Sequence, residues 1–173
     1  MKIKLQGAGV APFSISQRRL KMKIYAAYGS NMHFEQMKRR CPKAKVIGKG
    51  ELLGYKLTFR GGHSGVANVE PSSSKRVPIV LWAINKECEL ALDRYEGYPT
   101  LYTKEVVTIA TVDGEQAAMM YVMAKQYEDM PAKPSEQYFE IIRQGYQDNE
   151  INTGPLMKAL KFTRDEIVNQ GAY

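Results

Sequence analysis

Val77-Pro78-Ile79-Val80-Leu81-Trp82-Ala83-Ile84 carries no charged side chain along its whole length. This is the most apolar run in the chain and reads as a central strand. Pro78 lacks an amide hydrogen, a defect tolerated near a strand start. Strand patterns recur around this segment. Lys23 to Tyr28 is short and apolar, ending at Gly29. Val46 to Leu53 follows, and then Tyr55 to Arg60, which alternates with Tyr55, Leu57 and Phe59 inward. Ser64 to Val69 reads as a further strand, and Ser72 to Arg76 as a polar loop. Tyr102 to Val112 and Glu115 to Met123 make a hairpin about Asp113-Gly114, a strong turn signal.

Helical signals interrupt these strands. Asn31 is placed to cap a helix with Phe34, Met37 and Cys41 on its inner face, stopped by Pro42. Asn85 caps a second helix, with Cys88, Ala91, Leu92 and Tyr95 inward and Gly97 as terminator. Ser135 caps a third, whose inner stripe is Tyr138, Ile141, Ile142 and Gly145. Short helices are expected at Leu156 to Leu160 and at Asp165 to Asn169. Consecutive strands with intervening helices imply an α+β fold.

A length of 173 residues suits one domain. The net charge of +7 suggests a nucleic-acid partner until its distribution is read. Residues 1 to 23 hold Lys2, Lys4, Arg18, Arg19, Lys21 and Lys23 and no acid, leaving 19 basic against 18 acidic residues beyond them. The basicity therefore belongs to an N-terminal extension, residues 1–21, set apart from a domain at 22–173. That extension is expected to be a flexible tail, a start assigned upstream of Met22, or a faint match to an organellar transit peptide. No apolar stretch approaches the roughly 18 residues of a membrane span. Cys41 and Cys88 are too few for a disulfide framework and, with no export signal, point to reduced thiols in a cytoplasmic protein, with one bridge between them as the alternative.

Candidate chemistry falls at two places. Tyr28-Gly29-Ser30-Asn31 ends a strand and opens a helix, where glycine admits a close backbone approach and short polar side chains add donors. The same pattern serves equally as a plain capped turn. Glu96 ends the second helix, where the helix field opposes an anion by about 0.3–1 kcal/mol and raises the carboxyl pKa. Burial against neighbouring tyrosines would raise it further, toward the range suited to proton shuttling. An ordinary exposed glutamate fits the position as well. Tyrosine outnumbers phenylalanine eleven to five, and Tyr25, Tyr28, Tyr95, Tyr98, Tyr102, Tyr121 and Tyr138 lie near these elements. The basic stretch Lys38 to Lys45 reads as a solvated helix end. His33 and His63 show no metal-ligand spacing, and no phosphate loop, dinucleotide turn or serine-hydrolase elbow is present.

Taken in order, three segments resemble the γ-glutamyl cyclotransferase-like family. Tyr28-Gly29-Ser30-Asn31 is similar to its substrate-binding signature. Leu92-Asp93-Arg94-Tyr95-Glu96-Gly97-Tyr98-Pro99-Thr100-Leu101-Tyr102 is similar to the segment bearing its catalytic glutamate. Pro134-Ser135-Glu136-Gln137-Tyr138 resembles the opening of its late helix. The resemblance spans Lys23 to Leu160. It implies an α+β fold with a small, strongly curved or barrel-like mixed sheet flanked by helices, and no cofactor or metal. It implies an enzyme that releases 5-oxoproline from γ-glutamyl compounds. Glu96 would be the general acid/base, with Tyr28, Gly29, Ser30 and Asn31 lining the substrate pocket, and Tyr102 and Tyr138 as further hydroxyl contacts.

The implied partners are a small-molecule γ-glutamyl substrate and neither nucleic acid nor membrane, for a monomer or small homo-oligomer. Asn31 departs from the Tyr-Gly-Ser-Leu and Tyr-Gly-Thr-Leu branches, while Glu96-Gly97-Tyr98-Pro99 resembles the γ-glutamylamine branch. The substrate thus stays open among γ-glutamyl amino acids, γ-glutamyl amines and a γ-glutamylated intermediate. A non-catalytic binding module of the same fold, an amidohydrolase, and nucleic-acid binding through the tail are the alternatives.

Overall fold

A computed structural model describes residues 22–171. The expected basic extension, 1–21, and the last two positions of the expected domain lie outside the described residues. Five strands close into a barrel: β1 (Lys23–Ala27), β2 (Lys45–Arg60), β3 (Val66–Ile84), β4 (Tyr102–Thr111) and β5 (Gly114–Met123), in the order β1-β3-β2-β4-β5. Neighbours run antiparallel except β5 and β1, which are parallel where Tyr25 faces Met119. Two seams of the barrel are narrow, with Tyr25–Met119 joining β1 to β5 and Glu51–Ala110 joining β2 to β4. The curved, barrel-like α+β fold that the sequence implied is the fold observed.

Two devices bend the long β2–β3 pair around the core. Its register shifts between Val46 and Gly48 and again between Leu53 and Tyr55. At the second shift Gly54 has φ 77°, a conformation glycine adopts without penalty. Gly50 sits where β2 meets β4, and a Cβ there would lie 2.5 Å from the Ala110 carbonyl oxygen. The barrel seam therefore needs the missing side chain. Val77, Ile79, Val80, Leu81, Trp82 and Ile84 are all buried, in keeping with the lack of charge along this run.

Several boundaries differ from expectation. Val46 to Leu53 and Tyr55 to Arg60 are one strand, β2. Ser72 to Arg76, expected as a polar loop, belongs to β3, so Pro78 lies mid-strand opposite Glu51. Four residues of β3 separate the Tyr55–Pro71 and Leu53–Arg76 pairs and bulge opposite Gly54 alone, which explains their polarity. The hairpin closes as expected, with Thr111 paired to Gly114.

Among the described residues four α-helices flank the barrel: α1 (Phe34–Arg40), α2 (Lys86–Tyr95), α3 (Glu136–Asp148) and α4 (Gly154–Gln170). Asn85 and Ser135 cap α2 and α3 by accepting the amides of Cys88 and Tyr138. Asn31 is not a cap. Ser30–Met32 form a 3₁₀ turn, and His33 caps α1 by accepting the Glu35 amide at 3.2 Å. Phe34 turns outward and meets Trp82 edge-on, while Met37 and Cys41 are buried. The two short helices expected near the C-terminal end are one, α4. Its middle is held by tertiary contacts: Thr163 Oγ1 accepts the Phe59 amide at 3.1 Å, and Arg60 bridges Glu70 and Glu166 at 2.6 Å each. No helix of the described residues is long and apolar enough to cross a membrane.

Candidate active site

The barrel delivers one end of β1 to a cleft. Past Ala27 the buried Tyr28 donates its hydroxyl hydrogen to the Tyr121 carbonyl at 2.8 Å, stapling the end of β1 to β5. The chain then turns at Gly29, where a Cβ would come within 3.1 Å of the Ala67 Cβ. The Met32 amide closes the turn on the Gly29 carbonyl at 3.0 Å. From the other side α3 presses directly against it. A Cβ on Gly145 would sit 2.7 Å from the His33 nitrogen, and Asn149 donates to the Met32 carbonyl at 2.9 Å. Ser30 and Asn31 are buried as a result.

The end of α2 delivers the carboxylate. The Glu96 amide still bonds the Leu92 carbonyl at 2.8 Å, and Gly97, with φ 62°, turns the chain away. The Glu96 side chain reaches across so that Oε1 accepts from Asn31 Nδ2 at 2.7 Å, a contact between residues 65 positions apart. The same nitrogen donates to the Tyr25 hydroxyl at 2.8 Å. Tyr28, Gly29, Ser30, Asn31, Glu96, Tyr102 and Tyr138, the residues singled out in the sequence, all line this cleft of about 180 Å³. That is below the ~300–1,000 Å³ of sites for drug-sized ligands, so the cleft suits the end group of a substrate.

Burial lifts the Glu96 carboxyl to about 7, even though the Arg40 charge and the Asn31 hydrogen bond pull it down. Desolvation is thus the main cause, where the sequence had suggested the helix field first. Burial also raises the phenols of Tyr25, Tyr28, Tyr102 and Tyr138 above their ordinary value, so they stay neutral and keep their hydrogens. Tyr102 donates to the Ala67 carbonyl at 2.6 Å, whereas Tyr138 accepts the Ala67 amide at 3.1 Å. The Tyr138 hydrogen is left for another acceptor. Tyr98 stays outside the cleft, its exposed ring under Lys104 Nζ at 4.5 Å.

Arg40 is what the sequence misassigned. Read there as part of a solvated helix end, it turns inward and stacks 3.4 Å from the Tyr95 ring centroid. It donates to Asn31 Oδ1, to Ser30 Oγ at 3.2 Å and to Gln36 Oε1 at 2.8 Å. Its spacing from Asn31 offers no local signal, since the contact exists only once the turn is made.

Residues 25–140 match the family described as gamma-glutamyl cyclotransferase, AIG2-like. The chain is similar to a gamma-glutamylcyclotransferase of Homo sapiens, 32% identical over 137 residues that cover 74% of this chain and 72% of that protein. A Bos taurus gamma-glutamylcyclotransferase is 31% identical over the same shares. A solved structure described as gamma-glutamyl cyclotransferase superposes with a TM-score of 0.68 at 30% identity, covering 83% of this chain and 87% of its own.

Proposed function

The chain belongs to the γ-glutamyl cyclotransferase, AIG2-like family of enzymes, and on that premise we propose that it releases 5-oxoproline from a γ-glutamyl amino acid, peptide or amine, with Glu96 as general acid/base. The observation that carries this reading is the Glu96 carboxyl, poised at about 7 and hydrogen-bonded to the Tyr28–Asn31 turn inside a small cleft.

A γ-glutamyl group contains its own nucleophile. When its chain is folded back, the α-nitrogen stands next to the γ-carbonyl carbon, and ring closure gains the advantage of an intramolecular reaction. The cleft would hold that folded conformer, so no enzyme nucleophile is required. Ionised Glu96 takes a proton from the substrate α-ammonium. The freed nitrogen attacks the γ-carbonyl, and Glu96 returns the proton to the leaving nitrogen as its bond to carbon breaks. The second proton shed as the lactam forms departs with the released amine as its ammonium. One carboxyl near 7 can do both jobs because neither protonation state is costly at neutral pH. In this reading, amides of the Gly29–Asn31 turn and the unspent Tyr138 hydrogen bind the substrate carboxylate or the developing oxyanion, supported by their position in the cleft lining.

The experiment is product analysis over a panel of γ-glutamyl dipeptides and γ-glutamyl amines. 5-Oxoproline and free amine in equal amounts are expected from at least one member. Free glutamate would mean hydrolysis by water, and no product from any member would leave a binding module.

A further inference from the structure

Arg40 has no part in the scheme above and does not line the cleft, yet it bonds two residues that do, Ser30 and Asn31. An asparagine carboxamide presents an oxygen and a nitrogen of similar shape, and its partners decide which faces which. Arginine offers only donors, so the Asn31 atom facing Arg40 is the oxygen. Its nitrogen is thereby turned toward Glu96 Oε1 and the Tyr25 hydroxyl. Stacking on Tyr95 and the bond to Gln36 hold the guanidinium still while it does this. Ser30 Oγ, which pairs with the Tyr95 hydroxyl at 3.1 Å, closes the ring of contacts.

We propose that Arg40 is a positioning residue for the cyclotransferase reaction: by fixing the Asn31 oxygen it commits both Asn31 nitrogen-bound hydrogens, one to Glu96 Oε1 and one to Tyr25, and leaves Glu96 Oε2 as the oxygen that exchanges protons with substrate. The inference rests on the function proposed above. Without Arg40 the carboxamide is free to rotate, so its oxygen can turn toward Glu96 Oε1 once that carboxyl carries a proton. Two acceptors in contact repel when Glu96 is ionised and attract when it carries a proton. Removing the guanidinium charge acts in the same direction. Other groups around Glu96 do not compete for this role. The phenols of Tyr25, Tyr28, Tyr102, Tyr121 and Tyr138 are all shifted upward and stay neutral in the assay range. Asp93, behind Tyr121, is paired with Lys104 at 2.7 Å.

The test compares wild type with Arg40→Met and Arg40→Lys in two readouts. The first is the acid limb of kcat/KM against pH on a substrate that wild type turns over. Arg40→Met should move that limb up by about one pH unit and lower kcat/KM at pH 7 by about fivefold, with KM nearly unchanged because Arg40 is not among the residues lining the cleft. Arg40→Lys, which keeps the charge and donors, should bring the limb most of the way back. The second readout is the carbon-13 titration of the Glu96 carboxyl in the substrate-free protein, where the same upward move is expected. Where Arg40→Met does not fold, Arg40→Gln reads the same titration, because it drops the charge and keeps most of the bulk. An unmoved limb and titration, with the loss confined to KM or to melting temperature, would reduce Arg40 to packing and overturn the proposal. A wild type that forms no 5-oxoproline would overturn the function instead, and the titration would still decide whether Arg40 governs Glu96.

Discussion

Replacing Glu96 with Gln should stop turnover and make the protein more stable, with a gain that depends on pH. Gln keeps the shape of the side chain and an Oε1 to accept from Asn31 Nδ2, so the contact at 2.7 Å survives. What it removes is a buried negative charge. A carboxyl raised from 4.5 to about 7 is disfavoured as the anion by roughly 3 kcal/mol, at ~1.4 kcal/mol for each tenfold change in proton affinity. The sign follows from which state holds the proton more tightly. Below pH 4.5 both folded and unfolded wild type are protonated at this position, and the penalty is absent. It grows as pH rises, because the unfolded chain releases its proton first, and is complete above about 7. Urea unfolding at pH 4, 6 and 8.5 should therefore show Glu96→Gln close to wild type at the lowest pH. At the highest it should be more stable, by up to about 3 kcal/mol, while 5-oxoproline release is lost. Stability given up at a functional carboxyl is a common trade. A difference that is flat with pH, or a variant less stable at pH 8.5, would refute the claim that desolvation sets the state of this group.

Tyr138→Phe removes the acceptor of the Ala67 amide and should cost about 1–3 kcal/mol in urea unfolding, with kcat/KM falling at the same time. Gly145→Ala puts a methyl 2.7 Å from backbone at His33. It should destabilise by about 1–3 kcal/mol and lower activity, because α3 would back away from the Ser30–Met32 turn; circular-dichroism melts and product assays check both. Cys41 and Cys88 are buried, and burial and its neighbour push the Cys41 thiol up to about 12. Neither thiol should react with an aromatic disulfide reagent at pH 8 until denaturant is added; rapid labelling of the folded protein would contradict this.

Local rules settled much of the architecture before any coordinates. The apolar run Val77–Ile84 had to be buried, and it is. Asn85 and Ser135 had to start helices, and their side chains cap α2 and α3. Asp113-Gly114 had to close a hairpin, and β4 and β5 meet there. These outcomes depend on side-chain periodicity and on bonds spanning three or four residues, so a window of sequence contains their causes. Tyr28–Asn31 and Glu96 were legible as candidates for the same reason, since a strand-to-helix turn and a carboxylate at a helix end are local features.

Only the tertiary structure decided what those candidates touch. Asn31 could cap a helix or face a carboxylate, and the 3₁₀ turn at Ser30–Met32 chose the second. Arg40 could be solvated or stacked, and the approach of Tyr95 from α2 turned it inward. Residues 154–170 became one helix because Phe59 and Arg60, far away in the chain, supply its partners. The proton affinity of Glu96 comes last in this order. The tyrosines beside it in sequence suggest burial, but how far water is excluded from this one carboxyl depends on residues brought together from β1, α2, β4 and α3.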